Sequence, residues 1–242
     1  MAVNTSLRDQ SLSLYHFLCQ HIVGTEETVR IKRKINTVGD NISSNKYIAF
    51  ITSGSFGEGL EMKDSDIDYM FVLKECIVSE NIENVECDPT KANLVMEIDD
   101  TKPGFTLLRC DNPDEPVNEM LMGRPSSSES LYLSSGLVKT YLLKELDNTV
   151  FSKFHGPCVS DEDGQIDAAV CFYNPKWLQS AENWIKRGNI SWPSSDLRSD
   201  IINHGVLVVP IGCKGSYNEA LEWRISFSVA EKLFVYSFCH TQ

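Results

Sequence analysis

The sequence predicts an α+β fold, in which a mixed or antiparallel central sheet is flanked by helices and preceded by a long N-terminal helical segment. Apolar residues between positions 6 and 43 recur at three- and four-residue steps, which is typical of amphipathic helices. Further along, short apolar runs show the period-two alternation of strands, and turn formers separate them. The predicted strands span 47–52, 66–73, 93–98, 105–109, 165–172 and 205–210, and a further helix is predicted over 131–146.

Length and composition restrict the class of protein. A chain of 242 residues can bury a proper core, and we expect a helical segment at 1–45 followed by one domain at 46–242. No run approaches the 18 apolar residues of a membrane span, and residues 1–10 lack the apolar core of a signal peptide, so a cytoplasmic location is expected, with the nucleus as the alternative. The eight scattered cysteines contain no Cys-x-x-Cys pair, which favours reduced thiols.

The N-terminal segment contains a helix break and a basic strip. Gly24 interrupts the pattern, and Thr25 is placed to cap the N-terminus of the next helix. The formal charge of −12 argues against a constitutive coat of nucleic acid but permits a local basic face. The basic strip is either a solvated helix face or a contact for a nucleic-acid backbone. It comprises Arg30, Lys32, Arg33 and Lys34.

The most informative stretch runs from residue 52 to residue 71. Gly54 and Ser55 form a turn after an apolar strand and offer backbone N–H groups and a hydroxyl to a phosphate. Asp66 and Asp68 follow, and on a strand they project from one face. Such a pair repels itself unless a cation lies between, which predicts a hard-metal site, although solvated strand ends also carry this pattern. A phosphate-binding turn beside two metal-binding carboxylates is typical of phosphoryl or nucleotidyl transfer.

A third carboxylate is expected from the second half of the chain. Asp167 lies in a compact apolar strand, where a charge is costly unless a metal or a hydrogen bond compensates it. It would complete a metal site with Asp66 and Asp68, or it would be a hydrogen-bonded residue at a strand end. Asp161 and Asp163 compete for the metal role, although turn chemistry explains both of them.

Four short segments resemble a known family. Gly54-Ser55, Glu58-Gly59-Leu60 and Ser65-Asp-Ile-Asp-Tyr-Met70 resemble the signature of the nucleotidyltransferase fold, and Trp223-Arg-Ile-Ser-Phe-Ser228 resembles a later segment of the same family. The chain is similar to the Mab-twenty-one-like family, which includes the cyclic GMP-AMP synthase-like receptors. It departs from cyclic GMP-AMP synthase in having Asp66 where that enzyme has Glu. We also expect that a C-terminal helical lobe is absent or truncated, which would leave the apolar run 233–238 poorly covered.

The resemblance implies a nucleotidyltransferase of innate immunity that forms a cyclic dinucleotide from ATP and GTP. Its cofactor would be magnesium, with manganese as the alternative, and double-stranded RNA or DNA would activate it through the basic strip. The implied catalytic and metal-binding residues are Asp66, Asp68 and Asp167. The implied nucleotide-binding residues are Ser53, Gly54, Ser55, Lys214, Arg224, Ser226 and Glu231. Chemistry alone equally allows Arg224 to be a salt-bridge partner.

Two other functions fit the same sequence. Some relatives keep the fold but have lost the acidic residues and act as binding or scaffold proteins. The intact Asp66, Asp68 and Asp167 argue against such a non-catalytic function here, whereas the expected absence of the C-terminal lobe argues for it. The second alternative is a template-independent enzyme that adds nucleotides to RNA ends. The acidic net charge and the Trp-Arg-Ile-Ser-Phe-Ser block weigh against that function.

Overall fold

The fold is α+β, with a mixed sheet and helices on its surface. The structure, a computed structural model, describes residues 2–60, 62, 65–81, 90–110, 119–125, 130–146, 150–185 and 192–238. Within these ranges the helices are α1 (Ala2–His21), α2 (Glu26–Ser43), α3 (Gly54–Gly57), α4 (Ser135–Glu145), α5 (Glu182–Ile185), α6 (Ser195–Asn203) and α7 (Ser228–Ser237). The strands are β1 (Ile48–Ser53), β2 (Ile67–Ser79), β3 (Ala92–Glu97), β4 (Phe105–Cys110), β5 (Met122–Gly123), β6 (Tyr132–Leu133), β7 (Phe151–His155), β8 (Cys158–Asp161), β9 (Ile166–Asn174), β10 (Val206–Val209) and β11 (Glu222–Ser226).

The long strand β2 organises the sheet. It pairs with β1 in antiparallel fashion, its first half runs parallel to β9, and its second half runs parallel to β3. From β3 the sheet continues through β4, β11 and β10 back to β9 by antiparallel pairs, so these strands form a closed ring of pairings. The β7–β8 hairpin extends the sheet from β9. The shift of partner along β2 coincides with a register irregularity between Val72 and Ile77.

The two faces of β9 are buried in two separate apolar clusters, because alternate side chains of a strand point to opposite sides. Ala168, Val170 and Phe172 pack in the larger cluster with Trp223, whose indole N–H donates to the carbonyl of Leu133 at 2.8 Å. On the other face Ala169 and Cys171 pack with Met70 and Val72 of β2, and Val229 of α7 packs against this smaller cluster. The smaller cluster is continuous with the candidate site, since Asp167 and Asp68 lie two residues before Ala169 and Met70 on the same face.

The predicted helices are present, with one correction. Thr25 caps α2 as predicted, since its hydroxyl accepts the N–H of Thr28 at 3.2 Å. The helix predicted over 131–146 begins only at Ser135, because residues 132–133 pair as a strand. Leu137 and Tyr141 are 41% and 44% exposed, whereas Val138 and Leu142 are buried.

Tryptophans cover the last helix. Trp192 is 5.2 Å from Phe234 and 4.8 Å from Phe238 between ring centroids, and Trp184 meets Phe234 at 5.5 Å. Trp177 packs against the core, whereas Trp192 is 38% exposed. Within the run 233–238 that was predicted to be poorly covered, residues 233–236 are half-buried, whereas Ser237 and Phe238 are exposed.

Two expectations about loops and boundaries stay predictions. Most of the surface loop expected over 111–130 lies outside the described residues, and the division of the chain at residue 45 is not tested by the fold. Among the helices described, none combines the length and the apolar character that crossing a membrane requires.

Candidate functional site

Four polar side chains lie in one row across four adjacent strands. The register pairs Ser53 of β1 with Asp68 of β2, Asp68 with Asp167 of β9, and Asp167 with Ser160 of β8. Neighbouring strands are about 4.8 Å apart, and paired residues project from the same face. The two carboxylates that the sequence separates by about a hundred positions are therefore direct neighbours. Asp66 comes immediately before β2 and is half-buried.

The turn after β1 fits closely over Asp68. Gly54 has a φ of +64°, and a Cβ at this position would lie 2.0 Å from Oδ2 of Asp68. Gly57 is similarly restricted, because a Cβ there would lie 2.4 Å from the carbonyl oxygen of Thr52. Both glycines are thus required by close approach, and the backbone of α3 touches the carboxylate face directly.

Asp167 is buried and held by two hydrogen bonds. It is 3% exposed, the hydroxyl of Ser160 donates to its Oδ1, and Nδ1 of His155 lies 2.7 Å from its Oδ2. The hydrogen bond and the charge of Asp167 raise the pKa of His155, which favours the imidazolium form. The hydrogen-bonded role considered for Asp167 is therefore present, and one of its carboxylate oxygens also lies within 4.8 Å of an oxygen of Asp68.

Charge repulsion and burial act together on Asp68. Burial first, and then the charges of Asp66 and Asp167, raise the pKa of the Asp68 carboxyl, while His155 opposes the rise. Oxygen atoms of Asp68 and Asp167 and the sulfur of Cys158 all lie within 4.8 Å of one another. Burial and the carboxylates of Asp167 and Asp68 raise the pKa of the Cys158 thiol to about 12, so the thiol is protonated at neutral pH.

A cleft of about 250 Å³ opens beside this row. Several of the residues predicted to bind nucleotide line it together with Asp68, namely Ser53, Gly54, Arg224, Ser226 and Glu231. Ser55, Asp66, Asp167 and Lys214 do not line it, and Lys214 is exposed in a turn after β10. The cleft also contains residues that the sequence did not predict, including Glu58, Cys158, Ser228 and Lys232.

The two cations of the cleft differ in what they contact. Arg224 is exposed and forms no ion pair with any residue that the structure describes, so the salt-bridge alternative has no support there. Lys232 is 14% exposed and donates to Oδ2 of Asp40 at 3.2 Å and to the carbonyl of Thr52 at 2.8 Å. Glu58 also lines the cleft, and burial and the charge of Glu231 raise the pKa of its carboxyl.

Side chains from α2 and α7 hold the carbonyl groups of the turn. Backbone carbonyls at the end of a helix lack intrahelical partners, and donors from other elements can satisfy them. The donor–acceptor pairs are Arg33 Nε to Glu58 at 2.8 Å, Asn36 Nδ2 to Phe56 at 2.7 Å, and Tyr236 Oη to Gly57 at 2.8 Å. The turn is therefore fixed from two sides by helices that are distant in sequence.

These contacts separate Arg33 from the other residues of the basic strip. Arg33 is half-buried, and its guanidinium stacks on the ring of Tyr236 at 4.8 Å, so it belongs to the support of the turn rather than to an outer face. Arg30 and Lys34 are exposed, while Lys32 is half-buried with contacts of its own. Binding of nucleic acid by the strip stays a prediction, and Arg33 is not free to contribute to it.

The competing carboxylates behave as turn residues. Oδ1 of Asp161 accepts the backbone N–H groups of Gln165 and Ile166 at 2.6 and 3.1 Å, and Asp163 is exposed in the same turn. His155 and Cys158 were missed, although they flank the Gly156-Pro157 turn of a hairpin. The only signal in the sequence was that this hairpin directly precedes the strand of Asp167.

A scan against protein-family models finds no match, and a search of curated proteins finds no similar sequence.

Proposed function

We propose that the protein is a divalent-metal-dependent nucleotidyltransferase with the fold and site of the Mab-twenty-one-like family. It transfers a nucleotidyl group from ATP or GTP to form a dinucleotide, and a second transfer within that product makes it cyclic. The observation that carries the proposal is the row of Ser53, Asp68 and Asp167 on three neighbouring strands. It puts two carboxylates directly beside a glycine turn, as the chemistry of nucleotidyl transfer requires.

The residues of the row fit a hard divalent cation. Asp68 and Asp167 approach within 4.8 Å, and the pKa of Asp68 is raised by burial and by the neighbouring carboxylates. A bound cation would relieve this repulsion, and carboxylate oxygens are the ligands that Mg²⁺ and Mn²⁺ prefer. Asp66, Asp68 and Asp167 would hold the metal, which would align the α-phosphate and stabilise the pyrophosphate leaving group.

The walls of the cleft are suited to phosphate groups. Ser53, Gly54 and the exposed Arg224 all line the cleft, so hydroxyl, backbone and cationic donors are available to one bound group. The volume of about 250 Å³ is below the roughly 300–1,000 Å³ of pockets that enclose a whole small molecule. We therefore assign the triphosphate to the cleft and the base and sugar to its rim.

Asp167 is positioned to receive a proton. Its Oδ2 is fixed by His155 and its Oδ1 by Ser160, so the carboxylate is oriented before substrate binds. The imidazolium form of His155 favours the ionised carboxylate beside it. In this scheme Asp167 accepts the proton of the attacking hydroxyl and later releases it to solvent, while the imidazolium of His155 holds the carboxylate in place.

A conversion assay tests the proposal. The purified protein is incubated with ATP, GTP and Mg²⁺ or Mn²⁺, with and without double-stranded RNA or DNA, and products are identified by mass. The Asp66→Ala/Asp68→Ala variant should form no product. The Glu162→Gln/Asp163→Asn variant, which removes two charges from an exposed turn, should match the wild type.

The outcomes separate the candidate functions. A dinucleotide that is lost only in the first variant supports transfer, and the activator that increases it identifies the trigger. Addition of nucleotides to RNA ends instead would support the RNA-end enzyme. If folded protein forms no product under any of these conditions, the transferase proposal is wrong and the binding or scaffold function replaces it.

A further inference from the structure

Cys158 belongs to the candidate metal site, although nucleotidyl transfer gives a thiol no role. Its side chain is 8% exposed, lines the cleft, and has no hydrogen-bond partner in the part of the chain that the structure describes. Its sulfur and the oxygen atoms of Asp68 and Asp167 lie within 4.8 Å of one another. A buried polar group without a partner, facing two carboxylates, is an arrangement in which a cation can bind.

The hairpin of β7 and β8 creates this arrangement. Its register pairs His155 with Cys158 and continues from β8 onto β9, where Ser160 pairs with Asp167. Cys158 therefore lies on the face that carries the acids, one pleat away from Ser160. His155 reaches Asp167 from the outside, with 70% of its side chain exposed.

We propose that Asp68, Cys158 and Asp167 bind a borderline-soft divalent cation of the Zn²⁺ type. Mg²⁺ selects oxygen ligands, whereas a sulfur ligand with two oxygens selects Zn²⁺ or its analogues. Three protein ligands leave a fourth position open toward the cleft, as in zinc sites that bind water or substrate. His155 positions Asp167 through its hydrogen bond and is not itself a ligand in this assignment.

The distances require only side-chain adjustment. With zinc bonds of about 2.0–2.3 Å, ligands at tetrahedral angles are roughly 3.3–3.8 Å apart. The present separations reach 4.8 Å at most, so a contraction of about 1–1.5 Å suffices. On binding, the S–H bond of Cys158 breaks, a sulfur–metal bond forms, and the proton passes to solvent, with no change in oxidation state.

Binding of Zn²⁺ at this site would regulate nucleotidyl transfer. Zn²⁺ would occupy the carboxylates that Mg²⁺ needs, so it would inhibit transfer in competition with Mg²⁺. This inhibition rests on the proposed function, whereas binding of Zn²⁺ does not. The two can therefore be tested separately.

Binding is tested with Co²⁺, a spectroscopic substitute for Zn²⁺. Titration of the reduced full chain should produce a thiolate-to-cobalt charge-transfer band that saturates at one equivalent and disappears when Zn²⁺ is added. The band should be absent in Cys158→Ser and should remain in Cys213→Ser, which alters a half-buried thiol in the loop after β10. Asp167→Asn keeps the thiol, and it should weaken Co²⁺ binding by roughly 10–100-fold or more.

Each result decides the inference. Thermal unfolding of Cys158→Ser, with Cys158→Ala as a second variant, shows whether a lost band reflects a lost ligand or a lost fold. No band in the folded wild type, or a band that survives in both Cys158 variants, would overturn the inference. A Cys158-dependent band in a protein without transfer activity would support the metal site and reject the proposed function. In an active protein, Zn²⁺ inhibition should be weaker in Cys158→Ser than in the wild type.

Discussion

Replacing Gly54 by Ala tests the contact between the turn and Asp68. The new Cβ would lie 2.0 Å from Oδ2 of Asp68, and real Cβ contacts are longer than 3.0 Å, so the carboxylate must move by about 1 Å. A short side chain can rotate away at modest cost in stability, but it then leaves the row shared with Asp167. Misplacement by about 1 Å can reduce a reaction rate by roughly 100-fold, and we expect a loss of that size in nucleotidyl transfer.

Gly104→Ala is the matched control. Gly104 has a φ of +85°, similar to the +64° of Gly54, but no atom lies within 4 Å of the point that a Cβ would occupy there. Both substitutions should therefore cost about 1–2 kcal/mol of backbone strain. For a domain of this size, that corresponds to a fall in melting temperature of about 2–8 °C. Only Gly54→Ala should also displace a carboxylate.

The two variants are compared by thermal unfolding, by Mn²⁺ binding and by conversion of ATP and GTP. We expect similar melting temperatures, with metal binding and conversion impaired only in Gly54→Ala. If Gly54→Ala binds Mn²⁺ as tightly as Gly104→Ala does, the turn does not restrain Asp68, and the reasoning from close approach is refuted. A much larger fall in melting temperature for Gly54→Ala would show that the backbone, rather than the carboxylate, has to move.

Three further predictions concern charge. Asp68→Asn should raise the melting temperature at pH 7 while abolishing transfer, because burial and the neighbouring carboxylates raise the pKa of Asp68 and make its ionised form unfavourable. This gain should vanish at a pH where the carboxyl is protonated in both the folded and the unfolded protein. A lower melting temperature of the variant at pH 7 would contradict the prediction. Lys232→Met should lower the free energy of unfolding, measured in urea, by about 3 kcal/mol, since it leaves Asp40 buried without its cation. An unchanged free energy of unfolding would exclude a stabilising role for the Lys232–Asp40 pair. His155→Gln should destabilise the fold most at a pH below the ordinary histidine pKa and least at a pH above the raised pKa of His155. The reason is that a raised pKa stabilises the fold only while the imidazole is protonated. The free energy of unfolding at pH 6 and pH 9 measures this dependence, and equal losses at both pH values would disprove the link with Asp167.

The local parts of the fold could be predicted because they depend on neighbouring residues. Period-two alternation located β3 and β4, and the hydroxyl of Thr25 located the start of α2. Asp68 lies in β2, as the same alternation predicted, whereas Asp66 precedes the strand and its sharing of a face with Asp68 stays a prediction. The inner face of α4 could not be predicted, because Leu137 is as apolar as Leu142, and only the packing of the helix against β8 and β9 decides which of them is buried.

The long-range parts of the site could not be predicted in this way. Cys158 and His155 enter it through the register of β8 on β9 and of β7 on β8, and neither register is encoded by spacing along the chain. Cysteine is also common in cores, so its residue type gave no signal. The resemblance to known enzymes pointed to Asp167 but not to the thiol beside it, since a thiol is not part of that pattern.

The support of the turn gives α2 a second role besides covering the sheet. Asn36 and Arg33 donate hydrogen bonds to carbonyl groups of the turn. At the start of the turn, Asp40 accepts hydrogen bonds from the N–H and the hydroxyl of Thr52 at 2.9 and 2.5 Å. The outer face of the same helix exposes Ile35 and Ile42 by 63% and 78%. A shift of α2 cannot leave the turn unchanged, because three successive turns of this helix contact it through their side chains. The position of Gly54 over Asp68 is therefore set as much by α2 as by the loop itself. Binding of a ligand to the outer face of α2 would consequently alter the position of the carboxylates.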